Sequence, residues 1–158
     1  MDLLAGRGYL IRLQNQITTA MAMLDGSSFL SDPWEKGAGE TLKGHGITQI
    51  LENGQVFERA GCAFSHVTGD QLPPSATHNR PELAGAPFEA MGVSLVVHPR
   101  NPYVPTVHMN VRIFSATTAE GQTVAWVGGG MDLTPYYGFE EDAVHFHQTC
   151  RDTLTPFG

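Results

Sequence analysis

Basic residues are scarce in this sequence, and charged residues are few in general. Lys and Arg number 9 against 16 Asp and Glu, so the formal net charge is −7. Phosphate backbones are bound by clustered cations, and no basic stripe occurs here, so this balance argues against a nucleic-acid partner. An anionic small molecule is compatible with it, provided that a few Arg and His side chains converge locally.

Cysteine and long apolar runs are also lacking. The two cysteines, Cys62 and Cys150, form no C-x-x-C motif, so we expect no disulfide framework and infer a reducing compartment. No apolar run approaches the ~18 residues that predict a transmembrane helix. The length of 158 residues fits one domain with a sizeable core.

Hydrophobic spacing predicts a helix at each end of the chain. Apolar residues three and four positions apart indicate an amphipathic helix over about 7–24: Leu10, Leu13, Ile17, Met21 and Leu24. A second helix is predicted from about Phe139, because carboxylates at 140–142 favour the positive end of a helix dipole. Its apolar stripe would consist of Phe139, Ala143, Phe146 and Cys150.

The region between these helices favours strands. Asn53-Gly54 tolerates positive φ and predicts a β-hairpin, and 62–67 is a candidate third strand. Further strands are predicted at 92–97, 106–114 and 122–128. The Gly-rich stretch 29–46 and the proline-rich stretch 70–90 are interpreted as loops. Consecutive strands with short connections predict an antiparallel sheet flanked by α-helices, which is an α+β fold.

One predicted strand carries three different polar groups on a single face. In "VHMNVRIF", His108, Asn110 and Arg112 alternate with apolar residues, and alternate residues of a strand share a face. One interpretation is that this face of the sheet is solvated and has no binding role. We instead expect the row to be partly buried, because the neighbouring strand is apolar on both faces apart from Ser94 and His98. Buried polar groups need partners, and a bound ligand would supply them.

The pairing of the two strands is a separate hypothesis. A hairpin centred on Tyr103 places His98 opposite His108 and Ser94 opposite Arg112. One sheet face would then hold a serine, two histidines, an asparagine and an arginine.

Histidines allow two interpretations. His147 borders the apolar stripe of the last helix, so it could face the sheet and join His98 and His108. Three histidines from different elements could bind a divalent metal. The alternative is that they act as hydrogen-bonding or acid–base groups, since their spacing lacks a local metal motif.

Asp132 follows three glycines in "GGGMDLTP", and glycines let a backbone pass close to another group. Its carboxylate could accept a hydrogen bond from a ligand N–H and stabilise positive charge. The alternative is that Asp132 or Thr134 caps the following helix. The residues alone leave both open.

Three long stretches resemble oxygen-dependent coproporphyrinogen III oxidase. They are "NGQVFERAGCAFSHVTG", "RPELAGAPFEAMGVSLVVHPRNPYVPTVHMNVRIF" and "WVGGGMDLTPYYGFEEDAVHFHQTCRDTLTPFG". The resemblance implies that two propionates of coproporphyrinogen III are oxidatively decarboxylated to vinyl groups by dioxygen, giving protoporphyrinogen IX in haem biosynthesis. It also implies a large antiparallel sheet, a homodimer, no organic cofactor and, as for bacterial members, a cytoplasmic location.

The resemblance also implies roles for individual residues. Ser94 and Asn110 would contact substrate, and Arg112 would hold it. His108 is the implied proton donor, and Asp132 would contact the pyrrole N–H groups. In some members a divalent metal is assigned to histidines that match His98, His108 and His147.

The chain differs from the family pattern in its length and in one loop. Family members are longer, so residues 1–158 are expected to form a single domain that is the N-terminal portion of a longer fold. An exposed sheet edge or apolar surface is expected where further chain would pack. "KGHGITQ" also stands where a glycine run followed by Arg-Ser-Arg is expected. One alternative is a catalytically inactive porphyrin-binding fragment, and another is a metal-dependent enzyme of a different class.

Overall fold

The computed structural model describes residues 1–72, 77–78 and 80–158. A six-stranded antiparallel sheet has its strands in chain order, with one helix before it and one after it. The elements are α1 (Leu3–Asp25), β1 (Leu30–Glu35), β2 (Leu42–Glu52), β3 (Phe57–Gly69), β4 (Phe88–Pro99), β5 (Thr106–Thr117), β6 (Thr123–Thr134) and α2 (Glu140–Leu154). The expected α+β class is confirmed. Within the described ranges, no helix combines the length and the hydropathy needed to cross a membrane.

Helix α1 has a polar signal at each end. The Asp2 carboxylate accepts a hydrogen bond from the backbone N–H of Ala5 at 3.0 Å, which caps the first turn. Gly26 ends the helix with φ 82°, and its N–H donates to the carbonyl of Ala22 at 2.9 Å. The predicted helix over 7–24 is therefore confirmed and slightly longer.

Helix α1 covers one face of the sheet, which we call the helix face. Its fully buried Leu10 packs into a core with Cys62, Phe64, Met91, Val93 and Ile113. The buried amide of Gln14 donates to the carbonyls of Ile47 (2.7 Å) and Cys62 (2.8 Å). Burial also raises the pKa of the Cys62 thiol to about 11. Since side chains alternate along a strand, the residues between these core positions point to the opposite face, which we call the open face.

Asp25 fastens the end of α1 to the β2–β3 hairpin. Asp25 is 3% exposed, and its carboxylate accepts backbone N–H hydrogen bonds from Gln55 (3.0 Å), Val56 (2.9 Å) and Phe57 (2.8 Å). These hydrogen bonds, above all that from Phe57, lower the pKa of Asp25 to about 2. The hairpin predicted at Asn53-Gly54 is confirmed, although of these two residues only Asn53 has positive φ (55°).

Two predictions about the first half of the sheet were wrong. The stretch 29–46 is not a loop, because it contains β1 and the start of β2. Proline and glycine are typical of loops, but here each has a place in the sheet. Pro33 lies on an edge strand, where proline is tolerated. Gly46 lies under the Trp34 ring, which occupies the space that a side chain at residue 46 would need. The candidate third strand at 62–67 is instead the continuation of β3.

The stretch 70–90 is only in part the surface loop that was predicted. Phe88–Ala90 belong to β4, and residues 73–76 and 79 lie outside the described part. Several side chains of the stretch pack on the sheet in what we call the end cluster: Leu72, Leu83 and Ala86 with Phe88, Phe114, Ala116, Val124 and Trp126. The Arg80 guanidinium lies 4.8 Å from the Trp126 ring centroid.

Candidate functional site

The open face is ordered into rows that run across β3, β4, β5 and β6. Strand pairing sets the rows, because residues directly opposite one another point to the same side. Row 1 holds Arg59, His98, Thr106 and Thr134; row 2 holds Gly61, Val96, His108 and Asp132; row 3 holds Ala63, Ser94, Asn110 and Gly130; row 4 holds Ser65, Gly92, Arg112 and Gly128.

Five residues selected from the sequence lie together on this face. They occupy three consecutive rows: Ser94, His108, Asn110, Arg112 and Asp132. His108 and Asn110 are half-buried, whereas the other three side chains are exposed. The polar row is thus more open to solvent than the apolar character of β4 suggested.

The register predicted between β4 and β5 was wrong by two residues. His108 lies opposite Val96 rather than His98, and Arg112 lies opposite Gly92 rather than Ser94. The connection contains a β-turn in which the Val104 N–H donates to the Asn101 carbonyl at 3.0 Å, and the sequence did not reveal its centre. Because the error is an even number, every side chain still points to the expected face.

His108 and Asp132 form a pair across β5 and β6. Nδ1 of His108 lies 2.7 Å from Oδ2 of Asp132. When the carboxylate is ionised it accepts the hydrogen on Nδ1, which leaves Nε2 as the nitrogen directed to other groups. Thr134 donates its hydroxyl hydrogen to the other carboxylate oxygen at 3.4 Å. The His108 and Asp132 side chains are 37% and 57% exposed, so this pair adds little stability and its value lies in orienting the imidazole.

Glycines on the open face leave parts of the sheet backbone uncovered by side chains, and we call this area the floor. A Cβ atom added at Gly61, Gly128 or Gly130 would have no described atom within 4 Å beyond its chain neighbours. Gly92 differs, because its Cβ would lie 2.7 Å from the Val111 carbonyl oxygen. The floor therefore lets a flat ligand approach the backbone, with polar side chains rising beside it.

Arg112 borders this floor, because it lies opposite Gly92 and Gly128 in row 4. In the described part of the chain, no carboxylate lies within ion-pair distance of its guanidinium. On the same face of β5 the next residue is Phe114, whose ring stacks on Trp126 in the end cluster (centroids 4.7 Å apart). Arg112 therefore stands at the foot of an apolar wall and keeps its hydrogen-bond donors free for an anion.

The three histidines considered for a metal are not brought together. The Nδ1 atom of His98 lies 3.3 Å from the Thr106 hydroxyl in row 1, and His108 is paired with Asp132. His147 is exposed and lines a cavity on the helix face, the side away from His108. No three His, Cys, Asp or Glu residues in the described part are arranged to hold a metal ion. These residues therefore do not fit the implied metal, and no chemical step is assigned to one.

The cavity on the helix face was not foreseen from the sequence. It has a volume of about 890 Å³ and separates α2 from β5 and β6. Its lining is mainly apolar, with Met109, Val111, Met131, Phe146 and Cys150 among its walls, and no Arg or Lys is among the described residues that line it. A carboxylate placed there would have no permanent cation as partner, so the open face is the better anion site.

The whole of the open face lies within a stretch that matches a known protein family. A family model described as Coproporphyrinogen III oxidase matches residues 7–158. The chain belongs to the coproporphyrinogen III oxidase family. The match spans nearly the whole chain and includes every row of the open face. Membership in this oxidoreductase family supports a role in porphyrin and haem biosynthesis.

Proposed function

We propose that the open face binds coproporphyrinogen III and supports the dioxygen-dependent conversion of two of its propionates to vinyl groups. The observation that carries the proposal is the position of Arg112 and the His108–Asp132 pair on one glycine-floored face. The substrate combines a broad tetrapyrrole ring with four carboxylates. It needs open floor area, a cation for a carboxylate and an acceptor near the pyrrole N–H groups.

Arg112 is the proposed anchor for the propionate that is lost. Its guanidinium offers a planar fork of donors that matches a carboxylate, and the apolar wall of Phe114 and Trp126 lies on the same face. A hydrogen bond to a charged group is worth about 1.5–3 kcal/mol. The uncharged side chains of Ser94 and Asn110, in row 3, would add hydrogen bonds that fix the orientation of the tetrapyrrole ring.

Asp132 and His108 are the proposed chemical groups. Asp132 would accept pyrrole N–H hydrogen bonds and stabilise the ring as it loses electrons. Each propionate loses one proton and two electrons from the CH2 carbon that is bonded to the pyrrole ring. The bond between the second CH2 carbon and the carboxylate breaks, carbon dioxide leaves, and the two carbons become the vinyl group. Dioxygen takes the two electrons and two protons to become hydrogen peroxide. His108 would supply the proton that the substrate does not.

Binding without turnover is the second candidate function, and solvent exposure favours it. Arg112 and Asp132 are exposed, whereas reactive oxidised intermediates need protection from water. Under this alternative the face would hold a porphyrin but release no carbon dioxide.

The experiment compares four proteins under air and under argon: the unaltered chain, Arg112→Gln, Asp132→Asn and the control Arg12→Gln. Arg12→Gln removes the same charge from an exposed site on α1. We expect oxygen-dependent carbon dioxide release, with KM raised about tenfold by Arg112→Gln. We expect turnover to fall on the order of 10²-fold in Asp132→Asn and to stay within about twofold in Arg12→Gln. Binding without carbon dioxide release supports the second candidate, and equal activity of all four proteins contradicts both assignments.

Several expectations about the whole protein stay predictions. These are the homodimer, the cytoplasmic location, the absence of an organic cofactor and the single domain as part of a longer fold. The edge position of β6 is compatible with further packing, since its Val127 and Met131 side chains are 57% and 53% exposed.

A further inference from the structure

We propose that Arg59 and His98, in row 1, form a second carboxylate subsite for the same tetrapyrrole. This inference rests on the proposed function, because it assumes that Arg112 takes one carboxylate and leaves another to be held at the far end of the face. Arg59 was not among the site residues predicted from the sequence. The signal that was missed is strand parity, which points Arg59 to the same side as Gly61 and Ala63.

A small polar pocket marks the subsite. It has a volume of about 220 Å³ and is lined by Glu58, Arg59, His98, Pro99, Thr106 and Tyr136. Arg59 is exposed, and no carboxylate in the described chain is within ion-pair distance of it. When the Thr106 hydroxyl donates to Nδ1 of His98, at 3.3 Å, the ring hydrogen sits on Nε2. His98 is then a second donor for a carboxylate.

The separation of the two arginines suits one broad ligand. Row 1 and row 4 are six residues apart along β3, and Arg112 lies two strands away from Arg59. At ~3.3 Å per residue and ~4.8 Å per strand, their Cα atoms are about 20 Å apart along the strands and about 10 Å across them. Both side chains are long and lie at opposite ends of the glycine floor, so they can approach each other above it. Carboxylates on opposite edges of one tetrapyrrole ring would contact both arginines, whereas two carboxylates on neighbouring pyrroles would contact only one of the two arginines.

Glu58 opposes an anion in this pocket. Glu58 lines the same space, so the preference for an anion depends on Arg59. This gives a matched pair of adjacent substitutions with opposite expected signs. Arg59→Gln removes the attraction, and Glu58→Gln removes the repulsion.

The test is a fluorescence titration with two porphyrins. Coproporphyrin III carries four carboxylates distributed around the ring, and protoporphyrin IX carries two on neighbouring pyrroles. The proteins are the unaltered chain, Arg59→Gln, Glu58→Gln, Arg112→Gln and the control Arg12→Gln, each checked for folding by circular dichroism. We expect Arg59→Gln to raise Kd for coproporphyrin about tenfold and for protoporphyrin at most about twofold, because protoporphyrin keeps its orientation on Arg112. Glu58→Gln should tighten coproporphyrin binding.

The outcomes separate this inference from the proposed function. If Arg112→Gln weakens coproporphyrin binding while Arg59→Gln matches Arg12→Gln, the second subsite is wrong and the proposed function stands. If Arg59→Gln weakens both porphyrins equally, the opposite-edge geometry is wrong. If coproporphyrin does not bind the unaltered chain, the proposed function and this inference both fail.

Discussion

Adjacent glycines on β6 should respond in opposite ways to the same substitution. Gly130 points to the open face, where an added methyl group meets no described atom within 4 Å. Gly129 points to the other side, and a Cβ there would overlap the carbonyl oxygen of Asn110. We therefore expect Gly130→Ala to stabilise the fold and to impair ligand binding, and Gly129→Ala to destabilise the fold.

The magnitudes follow from backbone entropy and packing. Glycine inside a strand costs roughly 0.5–1 kcal/mol relative to alanine. At about 2–4 °C per kcal/mol for a chain of this size, Gly130→Ala should raise Tm by about 1–4 °C. Its methyl group lifts a flat ligand off the floor, and an overpacking cost of at least ~1 kcal/mol raises Kd about fivefold. Gly129→Ala forces a backbone shift that costs about 1–3 kcal/mol, so its Tm should fall.

The assay pairs thermal unfolding by circular dichroism with coproporphyrin titration of the folded protein. Gly129→Ala tests the stability argument alone, because the carbonyl that it displaces belongs to Asn110, a proposed substrate contact. A lower Tm in Gly130→Ala would contradict this prediction, and so would a higher Tm with an unchanged Kd. The first result would place bulk above Gly130, and the second would place the ligand elsewhere.

Three further predictions concern the scaffold. The pKa of Asp25 is lowered from 3.8 to about 2 in the folded protein. The ionised carboxylate therefore stabilises the fold fully above pH 3.8, and this stabilisation is lost as the pH falls toward 2. Asp25→Asn should lower Tm at neutral pH and flatten the acid limb of a stability–pH curve. Cys62 is buried with a raised pKa, so a thiol reagent at pH 8 should label Cys150 first and Cys62 only after unfolding. Gln14→Leu leaves two carbonyls without their donor and should cost about 1–3 kcal/mol in urea unfolding.

Each of these predictions has a result that would contradict it. An unchanged acid limb in Asp25→Asn would mean that another carboxylate governs acid unfolding. Rapid labelling of Cys62 in the folded chain would show that the core beneath α1 opens readily. Equal stability of Gln14→Leu and the unaltered chain would mean that water or a neighbour replaces the amide.

Side-chain parity was readable from the sequence, and packing between elements was not. His108, Asn110 and Arg112 were assigned to one face because alternation along a strand survives a register error of two residues. Strand β1 was missed because Pro33 reads as a loop residue, and only its edge position makes proline acceptable. Local signals dominate the first case, whereas tertiary context decides the second.

The histidines show the same limit at the level of the site. The stripe on α2 suggested that His147 could join His98 and His108, but nothing in the spacing tells which side of the sheet a terminal helix covers. The two interpretations of Asp132 could not be separated from the sequence either, since helix capping and ligand contact were equally plausible. The structure places its carboxylate in β6 beside His108. Asp132 lies in β6 and does not cap α2, whose N-cap residue is Phe139.

Methyl NMR during a coproporphyrin titration tests the central claim most directly, because ring currents shift only the methyl groups beside the porphyrin. Ala63 and Val96 report on the open face, and Val111 and Met131 report on the cavity of the helix face. We predict large shifts at Ala63 and Val96 that are lost in Arg112→Gln at the same ligand concentration. Shifts confined to Val111 and Met131 would contradict the account.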